Sequence, residues 1–236
     1  MKVAIMQPYS FPYLGYFQLI NLVDVFVFYD DVNYMKQGWV NRNNILVNGR
    51  PLMFTIPLEK PSSFIKIHET KTNKKMWELW KKKFLRTLDQ NYKKAPFYDC
   101  GIAIVDKVLS GSMDDVTISK IAIKSVIEVC NYLDIDTKIV PSSSIYKNDD
   151  LSGKDRVVDI CIKENATHYI NPIGGQVLYK KPYFKLKNIK LNFIQPSKIE
   201  YKQFNEQFVP WLSIIDVIMF NSKEKVKESL TKFQLV

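Results

Sequence analysis

Asp30 and Asp31 stand side by side directly after the apolar run Val25-Phe26-Val27-Phe28-Tyr29. Two carboxylates in such a place suit a general base, a clamp on sugar hydroxyls, or the metal pair of a glycosyltransferase. Neighbouring strand residues point to opposite sides, but both converge once the chain turns. Asp31 is assigned to catalysis and Asp30 to substrate binding. Just beyond them come Tyr34, Lys36, Trp39, Asn41 and Arg42. Sugars and nucleobases stack on aromatic faces, so Tyr34, Trp39 and the earlier Tyr13 are assigned to ligand contact, with core filling as the alternative. Lys36 and Arg42 flank them as candidates for a diphosphate, Arg42 through a bidentate fork.

A second group lies later in the chain. Cys161 and His168 suggest a thiol nucleophile with its base. Cys161, however, shares an apolar helical side with Val157, Val158 and Ile160, where a cysteine is inert packing. His168 is kept as the catalytic base, because an ordinary imidazole pKa of about 6.5 suits removal of a proton from an attacking amine. Gly174-Gly175 follow a short strand, where bare amides can approach a phosphate or an oxyanion. This pair is neither a dinucleotide fingerprint nor a P-loop. Lys154 and Arg156 stand in the first turn of a helix, the wrong end for a cation unless an anion meets it. Gly174 and Gly175, with Arg42 and Arg156, are therefore assigned to a diphosphate. Ser213 and Asp216 are three apart and share a helical face, placed to line a pocket. Ser142-Ser143-Ser144 reads first as a solvated loop and helix cap.

These residues need a frame. Val3 to Met6 and Val25 to Tyr29 read as strands around a short helix at Tyr16 to Leu22, the opening unit of a doubly wound sheet. Ligands of such sheets sit beyond the carboxyl ends of the strands, here Gln7 and Asp30-Asp31. A turn at Val47 to Pro51, a strand at Leu52 to Leu58 and a short edge strand at Phe64 to Ile67 follow. Trp77, Trp80, Phe84 and Leu88 fall at helical spacing, and helices continue at Phe97 to Leu109 and, after Asp114-Asp115, at Ile118 to Leu133. Strands are expected at Lys138 to Val140, His168 to Asn171 and Ile189 to Ile194. Helices are expected at Asp155 to Asn165, Pro182 to Leu186, Phe204 to Phe220 and Lys223 to Phe233. The expected fold is one α/β domain over residues 1–236. Its Rossmann-like sheet is mostly parallel, with helices on both faces and a helical insertion at about residues 73–133.

Composition narrows the partners. The chain has 236 residues, 46% of them hydrophobic, and a formal net charge of +10. That suits one core and an anionic ligand, though a solvated basic surface gives the same total. No nucleic-acid motif accompanies the charge, so nucleic acid is not expected. The three cysteines are widely spaced, which fits a reducing, cytoplasmic setting. With only two histidines, no metal is expected. No stretch approaches the roughly 20 apolar residues of a membrane span, and no signal peptide is evident.

The run QPYSFPYLGYFQLI, followed by DVFVFYDDVNYMKQGWVNRNNI, resembles the opening signature of the WbqC-like family. DRVVDIC, ATHYINPIGG with Tyr179 four residues beyond, and FVPWLSIIDVIMFN extend the similarity in order over nearly the whole chain. The resemblance implies a place in bacterial surface-polysaccharide (O-antigen, lipopolysaccharide) biosynthesis, where unusual amino sugars are made. It also adds Tyr179 to the substrate-binding set. The expected function is modification of a nucleotide-linked amino sugar by N-acyl or aminoacyl transfer. The donor would be an acyl thioester on a carrier protein or coenzyme A, with no tightly bound cofactor. A glycosyltransferase and a non-catalytic sugar-nucleotide binder or scaffold are the rivals, and a homodimer is left open.

Overall fold

The computed structural model describes residues 1–111, 116–204 and 207–236. Asp114-Asp115, expected to lead into a helix, lie outside the described residues.

The chain opens with β1 (Lys2–Met6), α1 (Leu14–Leu22) and β2 (Val25–Phe28). The strand residues alternate between two cores. Val3, Ile5, Val25 and Val27 enter one, while Ala4, Phe26 and Phe28 enter the other. A sheet covered on both faces must be apolar on both, which explains the unbroken apolar runs. β1 and β2 pair in parallel, Val3 opposite Val25.

A hairpin follows, β3 (Arg42–Val47) and β4 (Arg50–Thr55), which forms a separate two-stranded sheet. Asn48 and Gly49 at its tip both have positive φ, 49° and 74°. That is what a two-residue turn between twisted strands demands. The expected strand at Leu52 to Leu58 is thus shifted toward the amino end. Its partner, Arg42–Val47, was not expected as a strand, because Arg42-Asn43-Asn44 are polar. Phe64 to Ile67 is not a strand either. Lys66 makes an isolated bridge to Asn33, and a short 3-10 turn takes over at Ile67–Glu69.

Three helices come next: α2 (Lys74–Tyr92), α3 (Tyr98–Leu109) and α4 (Ile118–Tyr132). Their apolar sides join the same core as α1 and the hairpin. Then come β5 (Lys138–Val140), α5 (Gly153–Lys163), β6 (His168–Pro172), α6 (Lys181–Lys185) and β7 (Lys190–Pro196). α5 and α6 cover the opposite face, through Val157, Cys161 and Phe184. α7 (Ile214–Phe220) and α8 (Lys223–Ser229) return to the α1 face. Among the described residues the expected helix from Phe204 is reduced to α7, with Pro210 and Trp211 standing before it, and Asn205 and Glu206 lie outside the described residues. The end of the expected last helix is instead a strand, β8 (Phe233–Leu235).

The main sheet has the order β5-β2-β1-β6-β7-β8, parallel except for the edge strand β8. This is a mostly parallel, Rossmann-like α/β fold. Strand order reverses between β1 and β6, so the crevice at the carboxyl ends opens beside Gln7, Asp30-Asp31 and the loop after β6.

Candidate functional site at the carboxyl edge

Past β2 the Tyr29 amide bonds to the Met6 carbonyl at 2.7 Å, and the chain then releases Asp30 and Asp31. Both are buried, at 3% and 4% exposure, so every carboxylate oxygen needs a partner. The segment after β5 supplies two. The Ser142 hydroxyl donates to Asp30 Oδ1 at 2.6 Å, and the Ser143 hydroxyl donates to Asp31 Oδ1. From α4, Ser119 donates to Asp30 Oδ2 at 2.8 Å. From α5, Arg156 donates to Asp31 Oδ2 and forms a buried ion pair with it. Arg156 Nε also donates to Asn148 Oδ1 at 3.0 Å, and its guanidinium lies 5.1 Å from the Tyr29 ring centre. Asn148 in turn donates to Asp159 at 2.7 Å. The network satisfies a charge that burial alone would make costly.

Asp30 also lines a cleft of about 520 Å³ with His68, Ser142, Ser144, Lys120 and Lys124. The His68 amide donates to the Asp30 carbonyl at 2.9 Å, which ties the 3-10 turn to the end of β2. Its side chain is 30% exposed, with Nε2 3.8 Å from Glu69 Oε1, while Nδ1 is buried and has no hydrogen-bond partner among the described residues. The cleft thus sets a carboxylate, an imidazole, hydroxyls and the Lys120 ammonium against apolar walls of Ile123, Ile127 and Pro141, while Lys124 reaches the Ser110 carbonyl at 3.2 Å. That set can orient a hydroxylated anionic molecule and accept a proton from it.

The structure brings Asp30, Asp31, Arg156 and Tyr179 to this edge. Burial raises the Tyr29 hydroxyl, Arg156 opposes the shift, and Tyr179 and Asp31 add to it, so these groups share one neighbourhood. The anion awaiting Arg156 is the chain's own Asp31, which resolves the cation at the helix start without a ligand. Lys154 instead sits 4.3 Å from the Tyr183 ring centre. Gly174 and Gly175 lie in the 3-10 turn Ile173–Val177 that follows β6. At Gly175 an added Cβ would stand 1.9 Å from Asn171 Oδ1, so any side chain there would force Asn171 to move. Gly174 faces open space. The Gln7 carbonyl accepts from Tyr16 at 2.9 Å.

Other expected residues go elsewhere. His168 opens β6, opposite Lys2 of β1, and bonds to Asn192 at 3.0 Å. In a parallel sheet that is the amino edge, so His168 and Asp31 cannot serve one site. Tyr34 donates to Asn41 at 2.8 Å, and Asn41 donates to the Ile56 carbonyl at 2.9 Å, all buried. These groups fasten the hairpin. Arg42 bonds to the Gly38 carbonyl at 2.8 Å and leans over Trp39, and among the described residues it makes no hydrogen bond or ion pair with Arg156 or Asp31. Trp39 and Lys36 are exposed. Tyr13, Ser213 and Asp216 form a separate neighbourhood. Tyr13 and Ser213 bridge, and Ser213 caps α7. Asp216 accepts from Tyr201 at 2.6 Å, Gln203 at 2.9 Å and Tyr92 at 2.9 Å, and burial raises its carboxyl despite these donors. Cys161 is fully buried, and burial pushes its thiol up to about 12. Among the described residues, no three His, Cys, Asp or Glu side chains come together as a metal site.

Sequence reasoning missed His68, Ser119 and Asn148. His68 carried one signal, as one of only two histidines. The serine run after β5 was visible but was read as a solvated loop. Nothing local marks Ser119.

A doubly wound, mostly parallel sheet covered by helices on both faces defines an α/β protein of the Rossmann-like class. The model of the WbqC-like protein family matches residues 7–228, and the chain belongs to that family. A relative from Mycobacterium tuberculosis (strain ATCC 25618 / H37Rv), described as "Uncharacterized protein Rv1507c", is 30% identical over 225 residues, covering 93% of each chain. No solved structure matches the chain. Among the described residues, no helix is long and apolar enough to cross a membrane.

Proposed function

We propose that the chain transfers an acyl or aminoacyl group from a thioester donor to the amine of a nucleotide-linked sugar. The observation that supports this best is the cleft lined by Asp30, His68, Ser119, Ser142, Ser144 and Lys120. The sugar amine attacks the thioester carbonyl, a tetrahedral oxyanion forms, the carbon–sulfur bond breaks, and the thiolate leaves. The amine proton passes to His68 and on to the departing thiolate. Lys120 or Lys124 faces the oxyanion or the sugar-linked phosphate. Asp30 and the hydroxyls bonded to it orient sugar hydroxyls, and Asp31 with Arg156 holds that floor in place. His68 takes the role that the sequence suggested for His168.

Transfer is direct in this scheme, because Cys161 is buried and its thiol stays protonated. Cys161→Ala is expected to keep most of the turnover and to lose some stability from the vacated space. Loss of turnover in a folded variant, with an acyl adduct trapped on Cys161 in the wild type, would replace direct transfer by a covalent route. Cys100, Cys130 and Cys161 are all free, which fits a cytoplasmic enzyme. The reading itself is tested by mass spectrometry of nucleotide-linked amino sugars incubated with acyl thioesters of coenzyme A or a carrier protein. A product heavier by one acyl group, with release of free thiol, is expected. Activity that appears only with a nucleotide-sugar, a sugar acceptor and manganese would make the protein a glycosyltransferase instead.

A further inference from the structure

A second cavity, of about 320 Å³, opens where β7 ends, between the start of α1 and the segment leading to α7. Tyr13, Tyr201, Phe208 and Trp211 furnish aromatic walls, and Gln18 lies among the lining residues. Three features there are unexplained by the fold.

The first is Gln18, which is fully buried. Its Nε2 donates to the carbonyls of Ser229 at 2.8 Å and Lys232 at 3.0 Å. Two carbonyls demand the amino group on that side, so the orientation of the amide is fixed. Oε1 is therefore left pointing away from them, and it has no partner among the described residues. A buried acceptor without a donor is rare and costly in a native protein. The second is Trp211, which has φ of +61°. Left-handed backbone is unfavourable for a bulky residue and persists only when the surroundings enforce it. The third is that this strained tryptophan is 70% exposed, its ring edge-on to Tyr13 at 6.3 Å. The fold holds an indole outward at a cost and gains little burial from it.

We infer that this cavity binds a nucleobase, its face on the Trp211 ring and its edge toward Tyr13, which stands at 66° to that ring, with a ring N–H or amino group donating to Gln18 Oε1. Every nucleobase carries such a donor and a flat face, and base–aromatic stacking is a recurrent source of affinity. An acyl chain would fill the apolar walls but leave the acceptor unpaired. The inference deepens the proposed function and rests on it for the rest of the ligand. β7 lies three strand spacings from β2, about 14 Å at roughly 4.8 Å each. An extended nucleoside diphosphate sugar covers a comparable span.

The test uses the full chain and calorimetric titration with uridine, thymidine, cytidine, adenosine and guanosine, each alone. At least one is expected to bind the wild type. Trp211→Gly is expected to weaken that binding at least ten-fold while leaving the melting temperature unchanged or higher, because glycine adopts the left-handed conformation without strain. Trp211→Phe, which retains a stacking face, is expected to bind within a few-fold of wild type. No binding of any nucleoside at millimolar concentration, or equal binding by Trp211→Gly, overturns the inference. So does Trp211-dependent binding of decanoate in place of nucleosides, which would make the cavity an acyl site. Nucleoside binding without acyl transfer in any assay would leave this site standing and remove the transferase reading. Transfer to amino sugars lacking a nucleotide, with no nucleoside bound, would do the reverse.

Discussion

Replacing Arg156 by methionine is expected to destabilise the protein by about 3–5 kcal/mol, the usual cost of stranding one partner of a buried ion pair. For a domain of this size each kcal/mol is worth about 2–4 °C, so the melting temperature should fall by roughly 6–20 °C. The reason is local. Asp31 is 4% exposed and would keep only the Ser143 hydroxyl as a partner. Asn148 would also lose the Nε donor that faces its carbonyl oxygen. The double variant Asp31→Leu/Arg156→Met is expected to recover most of the loss, because it removes both desolvated charges together. Chemical denaturation of the two variants measures both effects. A single variant within about 1 kcal/mol of wild type would mean that the pair is solvated and does not brace the site.

The second large effect concerns turnover. His68→Gln is expected to lower kcat by about 10²- to 10⁴-fold, the range for loss of a general base. Its melting temperature should barely move, because the ring makes no hydrogen bond through Nδ1 and the backbone bond to Asp30 survives the change. Imidazole added to a His68→Gly variant should restore part of the rate, which a purely structural role would not allow. The parallel change His168→Gln should leave kcat close to wild type, since that ring sits at the amino edge beside Lys2 and Lys190. If His168→Gln abolished turnover and His68→Gln did not, the site would have to be moved to the other end of the sheet.

The frame was readable because its signals are local. Val3 to Met6 and Val25 to Phe28 are apolar on both faces, and only a doubly covered strand needs that. The positions of Asp30-Asp31 and of the serine run after β5 follow from where those strands stop. The hairpin was harder to read. β3 is built on Arg42, Asn43 and Asn44, and Asn43 earns its place through a bond to the Phe11 carbonyl at 2.8 Å, a contact that no window of sequence reveals. β8 is three residues long and becomes a strand only because β7 offers an open edge. The partners of the carboxylates lie far along the chain. Ser119 and Arg156 stand 89 and 125 residues from the carboxylates they meet. Arg156 stands out in the sequence as an anomaly at a helix start and reads as awaiting an anionic ligand, whereas the anion it meets is Asp31. The anion is internal. His168, the base suggested by the sequence, opens a parallel strand and so lies away from the crevice at the carboxyl ends, a consequence of strand direction alone.

The most direct test of where the chemistry occurs is a crystal structure with an unreactive nucleotide-linked amino sugar and no acyl donor. The sugar amine is expected within hydrogen-bond distance of His68, its hydroxyls against Asp30 and Ser142, and its phosphates toward Lys120 or Lys124. A sugar bound at the amino edge beside His168, or along the exposed Trp39 and Lys36 of the hairpin segment with the cleft by Asp30 empty, would contradict the account.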